Sequence, residues 1–317
     1  IILVGQMVIT SVQNRSIAEN QLADLQNAYG TRSGYHRAML ILQGHLEKDP
    51  ATDAFGGTWA QPLEFDLAKT HVSVEIRDSG RFLNLSRLVN DKGERIPAAV
   101  ARLRRLLAIL RQPPDVAERI LDYVDADSNG DFEEGARNRK LFNVEELLRI
   151  RKIAQEALHG EKTGTGEEKE GLLSFVTVWP QQLPQGSHPS PATVNFNTAP
   201  AELLLALSDK MNATLAQAIL AERERPGPDG RPNPFRTPED VKRVPGMTDE
   251  IFVSLAGQIS VVSPTYEIRV RSRVGNIEKA WLYVVQRPAK PGEGMKLLSS
   301  QRGNEFLTVR PPEAENP

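Results

Sequence analysis

The chain begins with an apolar run that leads directly into a repeat of apolar and polar positions. Residues 1–10 (IILVGQMVIT) are apolar apart from a glutamine and a threonine, and no proline occurs before Pro50. Between Arg15 and Glu47 the apolar residues recur near the spacing of one helix face. They include Ile17, Leu22, Leu25, Ala28, Tyr35, Ala38, Met39, Leu42 and Leu46. This pattern predicts an N-terminal stalk helix over residues 1–48.

Two glycines lie within the predicted helix. Gly30 and Gly34 each cost about 1 kcal/mol relative to alanine in a helix interior. Glycine is also common where helices bend sharply. We therefore expect the stalk helix to be kinked or broken near these two positions.

The apolar start is too short to cross a bilayer by itself, because a spanning helix needs about 20 residues. Two interpretations remain for it. The segment is a buried helix start or strand, or it is the end of a transmembrane segment whose first half precedes Ile1. The lack of proline up to Asp49 favours the second, because a helix that leaves a membrane and then packs along a head needs this continuity.

Alternating patterns predict strands on both sides of the middle of the chain. Val72, Val74 and Ile76 alternate with polar residues, and after a turn the segment RFLNLSRL (81–88) is expected to form the second strand of a hairpin. Near the end, PTYEIRVRSRV and NIEKAWLYVVQR both alternate and are joined at Gly275. We expect these segments to form one antiparallel sheet.

The middle of the chain has helical spacing, so the fold class is α+β with a sheet interrupted by a long helical insertion. Amphipathic helices are predicted between Ile96 and Arg151, and further helices between Val194 and Gln258. The predicted divisions are a stalk over 1–48, the first part of the head over 49–94, a helical insertion with an acidic loop over 95–190, a second helical region over 191–258, terminal strands over 259–287 and a disordered tail over 288–317.

Composition excludes several classes of function. The 317 residues carry a net charge of -2, which gives no general attraction to nucleic acid or anionic lipid. There is no cysteine, and therefore no disulfide or thiolate metal site. The five histidines are scattered, and the HExxH, GxSxG and GxxxxGK[ST] motifs do not occur. We therefore do not expect an enzyme.

One acidic segment, DYVDADSNGDFEEG, has the spacing of a metal-binding loop. From Asp125 to Glu133 it follows the first nine positions of a calcium-binding EF-hand loop, but the twelfth position is Ala136 instead of a glutamate. Oxygen donors alone favour a hard cation, for which calcium is the expected choice, and the alternative is a solvated acidic loop. The candidate ligands are Asp122, Asp125, Asp127, Asn129, Asp131, Glu133 and Glu134, the last as a substitute for the missing glutamate.

The segments VNFNTAPAELLLAL and NPFRTPEDVKRVPGM resemble a helix-hairpin-helix module, which makes DNA binding the main alternative function. The first hairpin position, 208–212, has no glycine, and only the turn at 244–247 resembles a phosphate-binding hairpin. The segment from Ala221 to Arg243 contains six basic and five acidic residues. A DNA-binding surface would be clearly basic, so we expect no nucleic acid partner.

Taken in order, these features resemble the minor pseudopilin K family of the type II secretion system. They are the apolar stalk, VSVEIRDSGRFLNLSRL, the acidic DYVDADSNGDFEEGA, VNFNTAPAELLLAL and the final strand pair, with Asp53 and Trp59 similar to a segment ahead of the first strand. The resemblance implies a pilin-like fold whose large helical insertion is SAM-like or helix-hairpin-helix-like. It also implies calcium in that insertion.

The same resemblance implies a structural role at the tip of a periplasmic pseudopilus, in contact with the minor pseudopilins I and J. It further implies a precursor that is cleaved and methylated by a prepilin peptidase. The protein would then be a single-pass protein of the bacterial inner membrane with a periplasmic head. A minor pilin of a related type IV pilus remains a second alternative.

Overall fold

The structure of this protein is a computed structural model. It describes residues 2–162, 168–182, 190, 192–227, 230, 232–289 and 293–303. The helices of these residues are α1 Ile2–Lys48, α2 Pro97–Ile109, α3 Asp115–Val124, α4 Gln155–His159, α5 Ala201–Ala206, α6 Ala213–Glu224 and α7 Asp249–Leu255. The strands are β1 Leu63–Leu67, β2 Thr70–Asp78, β3 Leu83–Asn84, β4 Gly160–Lys162, β5 Glu168–Glu170, β6 Val176–Thr177, β7 Val194–Asn195, β8 Ile259–Ser260, β9 Thr265–Val274, β10 Ile277–Gln286 and β11 Lys296–Arg302.

The stalk helix α1 is one continuous helix of 47 residues, or about 70 Å at 1.5 Å per residue. It ends at Lys48, two residues before Pro50, as the sequence predicts. Residues 10–22 are exposed on all sides, whereas from Ala23 onward one face of the helix is buried against the sheet. Among the described residues, no helix has a stretch both long and apolar enough to cross a membrane.

The helix continues through Gly30 and Gly34, so the expected break is wrong. The two glycines instead allow close contact between the helix and the sheet. A Cβ atom on Gly34 would lie 2.5 Å from Cγ1 of Val270, which is closer than carbon atoms can approach. A Cβ atom on Gly30 would likewise lie 2.3 Å from the hydroxyl oxygen of Ser272. Their missing side chains set the distance between α1 and the sheet.

We expect Gly34→Ala to lower the free energy of unfolding by up to about 2 kcal/mol. Alanine gains about 1 kcal/mol of helix propensity, but Val270 is fully buried and overpacking a core costs about 1–3 kcal/mol. The matched control is Gly44→Ala on the same helix, where an added Cβ meets no atom within 4 Å. That variant should gain roughly 0.5–1 kcal/mol. Urea unfolding of both variants checks this, and equal effects would contradict the close-contact role of Gly34.

The main sheet has five antiparallel strands in the order β1-β2-β9-β10-β11. Its central feature is the pairing of β2 with β9, in which Val74 lies opposite Val270 and Ile76 opposite Ile268. Residues 79–264 lie between these two neighbouring strands in sequence. The expected interruption of the sheet by a helical insertion is therefore confirmed.

The hairpin expected over residues 71–88 is wrong. The hairpin partner of β2 is β1, which precedes it, and Leu67 lies opposite Thr70 at the turn. After β2 the chain leaves the sheet through a 3-10 turn at Ser79–Arg81. There Gly80 lies so close to Ser263 that a Cβ would fall 2.4 Å from its hydroxyl oxygen. The following β3 pairs in parallel with β6, inside the insertion.

The expected disordered tail over residues 288–317 is wrong for residues 296–302. These residues form β11, which pairs with β10 along the edge that β10 would otherwise expose. An unpaired strand edge leaves backbone N–H and C=O groups without partners, and β11 satisfies them. Residues 304–317 lie outside the described residues.

Start signals in the sequence explain where the insertion helices begin. Pro97 occupies the first turn of α2, where its missing N–H costs nothing. Asn212 caps α6, because its side chain accepts a hydrogen bond from the Leu215 amide at 2.9 Å. Thr248 caps α7 in the same way through the Ile251 amide at 3.2 Å.

The hydrophobic core has two parts. One lies between α1 and the sheet, around Ala38, Leu42, Trp59 and Tyr266. The other runs through the insertion from Leu83 to Val261 and includes apolar residues of α2, α3, α5 and α6. The two helical regions that were separated at residue 190 therefore share one core, and the insertion packs as a single unit.

Candidate metal centre

The acidic loop begins where α3 ends and brings three carboxylates together. Asp125 follows the last residue of α3, and oxygens of Asp125, Asp127 and Glu133 all lie within 4.8 Å of one another. Calcium binds oxygens at 2.3–2.6 Å, so about 5 Å separates two ligands on opposite sides of the ion. The trio therefore has the spacing that one cation needs. These residues hold positions one, three and nine of the predicted loop.

Backbone amides of the loop orient the carboxylates. The Asn129 amide donates to Asp127 Oδ1 at 3.0 Å, and the Gly130 amide donates to Glu133 Oε1 at 2.8 Å. The Phe132 amide donates to Asp122 Oδ2 at 2.9 Å. Gly130 is required here because a Cβ on it would lie 2.1 Å from that same Asp122 oxygen. The loop therefore folds around its own acids.

Arg95 is a member of this site that the sequence did not indicate. Its guanidinium contacts Asp122 Oδ1 at 2.5 Å and Asp125 Oδ2 at 2.6 Å, with Glu118 at 3.4 Å. Burial would lower the pKa of Arg95, but the hydrogen bonds to Asp125 and Asp122 outweigh burial and raise it. Carboxylates this close together repel one another, and Arg95 supplies part of the positive charge that offsets the repulsion.

One oxygen of the trio has no partner. Asp125 is completely buried, and its Oδ1 makes no hydrogen bond, although burial of an unpaired carboxylate oxygen is costly. Burial also raises the pKa of Asp125 against the hydrogen bond from Arg95. Such an oxygen, next to two further carboxylates, fits a metal ligand.

The remaining candidate ligands do not belong to the trio. Asp122 is turned toward Arg95 and the Phe132 amide. Asp131 and Asn129 are exposed. The carboxylate of Glu134, which was expected to replace the missing glutamate, contacts Arg151 instead. The structure therefore assembles three of the seven predicted residues.

A second polar cluster, which we call the buried junction, consists of His45, Asp53, Tyr266 and Arg287. Asp53 is fully buried and accepts hydrogen bonds from His45 at 2.9 Å, Tyr266 at 2.8 Å and Arg287 at 2.6 Å. The Ser263 amide donates to it at 2.7 Å. The junction therefore ties the end of α1 to β9 and to the residue that follows β10.

Asp78 lies next to this junction and connects it to the insertion. It accepts hydrogen bonds from Ser263 at 2.5 Å, Thr198 at 2.7 Å and Asn195 at 3.1 Å, and Asn195 also donates to the Asp53 carbonyl. Burial raises the pKa of Asp78. For Asp53, burial acts in the same direction, but the His45 hydrogen bond and the Arg287 charge outweigh it and lower the pKa.

Local sequence patterns do not indicate the junction. Asp53 was noted only for its family resemblance, and the histidines were described as scattered. Members at positions 45, 53, 266 and 287 share no local spacing that a pattern could detect. Only the folding of β9 beside the end of α1 brings them together.

In the helix-hairpin-helix-like region, most of the described basic residues form ion pairs with acids. Gly246 has a φ of +89°, as the tight turn there requires. The ion pairs are Lys210–Glu250, Arg225–Glu222, Arg236–Asp49, Lys242–Asp249 and Arg243–Glu222, whereas Glu224 lies 3.9 Å from Arg223. Most of the positive charge in the described part of this region is thus balanced locally.

Comparison with known proteins agrees with this architecture. Residues 194–261 match the family described as type II secretion system (T2SS), protein K. The type II secretion system protein K of Pseudomonas aeruginosa is 29% identical over 254 residues, which cover 72% of this chain and 68% of that protein.

A solved structure has the same fold. The crystal structure of the GspK-GspI-GspJ complex from the enterotoxigenic Escherichia coli type 2 secretion system contains a chain that matches with a TM-score of 0.66. The match has 21% sequence identity and covers 92% of this chain and 99% of that chain. The predicted α+β class, with its long N-terminal helix and antiparallel sheet, is confirmed.

Proposed function

We propose that this chain, as a member of the type II secretion system protein K family, is the minor pseudopilin at the tip of the pseudopilus. The role is structural and not catalytic, as the family is a structural component of the secretion machine. The resemblance to the protein K family that the sequence predicted is confirmed by the comparisons with known proteins.

The position of the insertion carries the proposal for the tip. The exposed part of α1 lies at residues 10–22, and the insertion contacts the opposite end of this helix. There Asp49 pairs with Arg236 at 2.5 Å, and the Asp53 carbonyl accepts from Asn195 at 3.0 Å. A subunit stacked beyond that end would meet the insertion. The chain can therefore be extended by further subunits on the stalk side alone.

Exposed apolar side chains on the stalk supply the surface for packing against other stalks. They are Val12, Ile17, Leu22, Leu25 and Tyr29, each more than half exposed. Apolar side chains in this number on one helix are typical of an interface. We infer a membrane-anchored stalk in the bacterial inner membrane, a periplasmic head, and cleavage and methylation by a prepilin peptidase.

We propose that the partners are the minor pseudopilins I and J, as in the complex that the similar solved structure contains. A head that begins at Ala23 retains every part of α1 that packs on the sheet. Mixed with the heads of the I and J proteins from the same bacterium, it should elute from gel filtration as one complex containing all three. The I and J heads alone provide the control elution. Separate elution of this head at concentrations of about 50 µM, above the dissociation constants of typical transient complexes, would contradict the proposed tip assembly.

We further propose that Asp125, Asp127 and Glu133 bind calcium. Three carboxylates and no nitrogen or sulfur donor favour a hard cation, and the flexible geometry of calcium suits a loop. Support comes from the 4.8 Å spacing of the three oxygens and from the unpaired buried Oδ1 of Asp125. Calcium would neutralise the charge that Arg95 leaves uncompensated and would hold the loop against α3.

A further inference from the structure

Two arginines lie close to one phenylalanine at the boundary between the sheet and the insertion. Arg81 ends the 3-10 turn that follows β2, and Arg223 lies in the last turn of α6. The guanidinium carbon of each lies 5.4 Å from the ring centroid of Phe55. The Phe55 side chain is 37% exposed, so this group of three reaches the surface.

The guanidinium of Arg81 lacks a polar partner. Within the described part of the chain it makes no hydrogen bond and no ion pair, and its buried Nε has no acceptor. The guanidinium of Arg81 makes cation–π contacts with the rings of Phe55 and Phe82. An arginine Nε–H group that is withdrawn from water without an acceptor is costly, because it loses its hydration.

Arg223 is only partly satisfied. Its Nη1 donates to the Ala199 carbonyl at 2.7 Å, which fixes the side chain in place. Its buried Nε has no hydrogen-bond partner, and the oxygen of Glu224 lies 3.9 Å from it, too far for a hydrogen bond. Two neighbouring buried Nε–H groups, one from each arginine, are therefore without acceptors.

The acids around this group do not neutralise it by contact. Asp78 is the acid with the largest effect on Arg81, but its carboxylate is engaged by Ser263, Thr198 and Asn195. Burial lowers the pKa of Arg81 and lowers that of Arg223 to about 10. Nearby Arg77 differs, because Glu75 binds it at 2.6 Å. Among the described residues around Phe55, Arg81 and Arg223 are therefore the arginines without a carboxylate within hydrogen-bonding distance.

We propose that Arg81 and Arg223, with Phe55 as an apolar wall, form a binding site for an oxyanion. The planar fork of a guanidinium matches a carboxylate, phosphate or sulfate group, and bonds from such charged donors are among the strong ones. The ligand is either a free inorganic oxyanion or a carboxylate carried by an organic molecule. The apolar ring beside the donors suits an organic group attached to the carboxylate.

The site can be tested by nuclear magnetic resonance on the intact ¹⁵N-labelled head. The Nε–H signals of Arg81 and Arg223 are followed while sulfate, phosphate or N-acetylglutamate replaces chloride at constant ionic strength. We expect saturable shifts of these two signals, whereas the Nε–H signal of Arg77 should not saturate. Saturation with sulfate or phosphate identifies an inorganic ligand, and saturation with N-acetylglutamate alone identifies a carboxylate.

Variants separate this site from general charge effects. R81Q should weaken anion binding at least about tenfold, the equivalent of one hydrogen bond to a charged group, whereas R77Q should leave it unchanged. If R81Q does not fold, R81K keeps the charge without the fork and should still weaken binding about fivefold or more. Shifts that stay linear for every oxyanion, or equal binding by R81K and the unaltered head, would overturn the proposal.

Discussion

Replacing Asp53 with alanine is expected to lower the free energy of unfolding by about 3–5 kcal/mol, the cost of removing one partner from a buried ion pair. The substitution leaves Arg287 buried without its carboxylate, and it removes the acceptor of His45, Tyr266 and the Ser263 amide. All of these groups are shielded from water, so none can replace the lost bond with a solvent molecule. Urea unfolding of the purified head measures the loss.

The chain offers a matched control for this substitution. Asp66 and His71 form a second His–Asp pair with the same 2.9 Å separation, but their side chains are 76% and 41% exposed. Asp66→Ala should change the free energy of unfolding by less than about 0.5 kcal/mol, because water replaces the lost partner. Similar losses at positions 53 and 66 would show that burial of the junction does not matter.

The pH dependence gives a further readout of the same junction. The pKa of Asp53 is lowered in the folded protein, so its stabilising contribution is present above the pKa of the unfolded chain, about 3.9. That contribution disappears as the pH falls through the folded pKa. The unaltered head should therefore lose stability in acid faster than Asp53→Ala does, and the two curves should converge.

Removal of the proposed calcium ion is expected to have the second-largest effect on stability. A ligand present at 100 times its dissociation constant stabilises the folded state by about 2.7 kcal/mol. For a head of about 300 residues, with an unfolding entropy of about 2.1 cal/mol/K per residue, that loss lowers the melting temperature by roughly 4 °C. A chelator should therefore destabilise the head, and added calcium should restore it. Differential scanning calorimetry with and without the chelator measures the shift.

Substitutions locate the calcium effect at the trio. Glu133→Gln and Asp127→Asn should each reduce or abolish the response to calcium, because each removes one negatively charged ligand. Glu134→Gln is the matched control, since its carboxylate contacts Arg151 and lies outside the trio. A melting curve that calcium and chelator leave unchanged would be incompatible with the proposed metal.

Local patterns in the sequence were sufficient for several elements. The helical repeat predicted α1 to its last residue, because the buried face of a helix repeats every three to four positions. The alternation in β9 and β10, with Gly275 between them, predicted that hairpin correctly. The acidic loop could be predicted because its three assembled carboxylates, Asp125, Asp127 and Glu133, lie within nine consecutive residues.

The errors share one cause, which is that spacing carries no information about distant partners. The hairpin after Asp78 was assigned to the next segment because adjacent strands in sequence often pair, but β2 has β1 and β9 as its neighbours. Arg95 was missed because it lies before α2, far from the acids in sequence. β11 was missed because its residues alternate too weakly to predict a strand.

The sequence by itself thus determined the stalk helix, the α+β class, the acidic loop and the resemblance to protein K, all of which depend on residues close together in the chain. Only the tertiary structure decided that Gly30 and Gly34 allow close packing instead of a break, and that Asp53 joins His45 to Arg287. The physical reason is the same for both. The fold places β9 against α1 and β2, and burial then determines which small side chains and which charges can lie there.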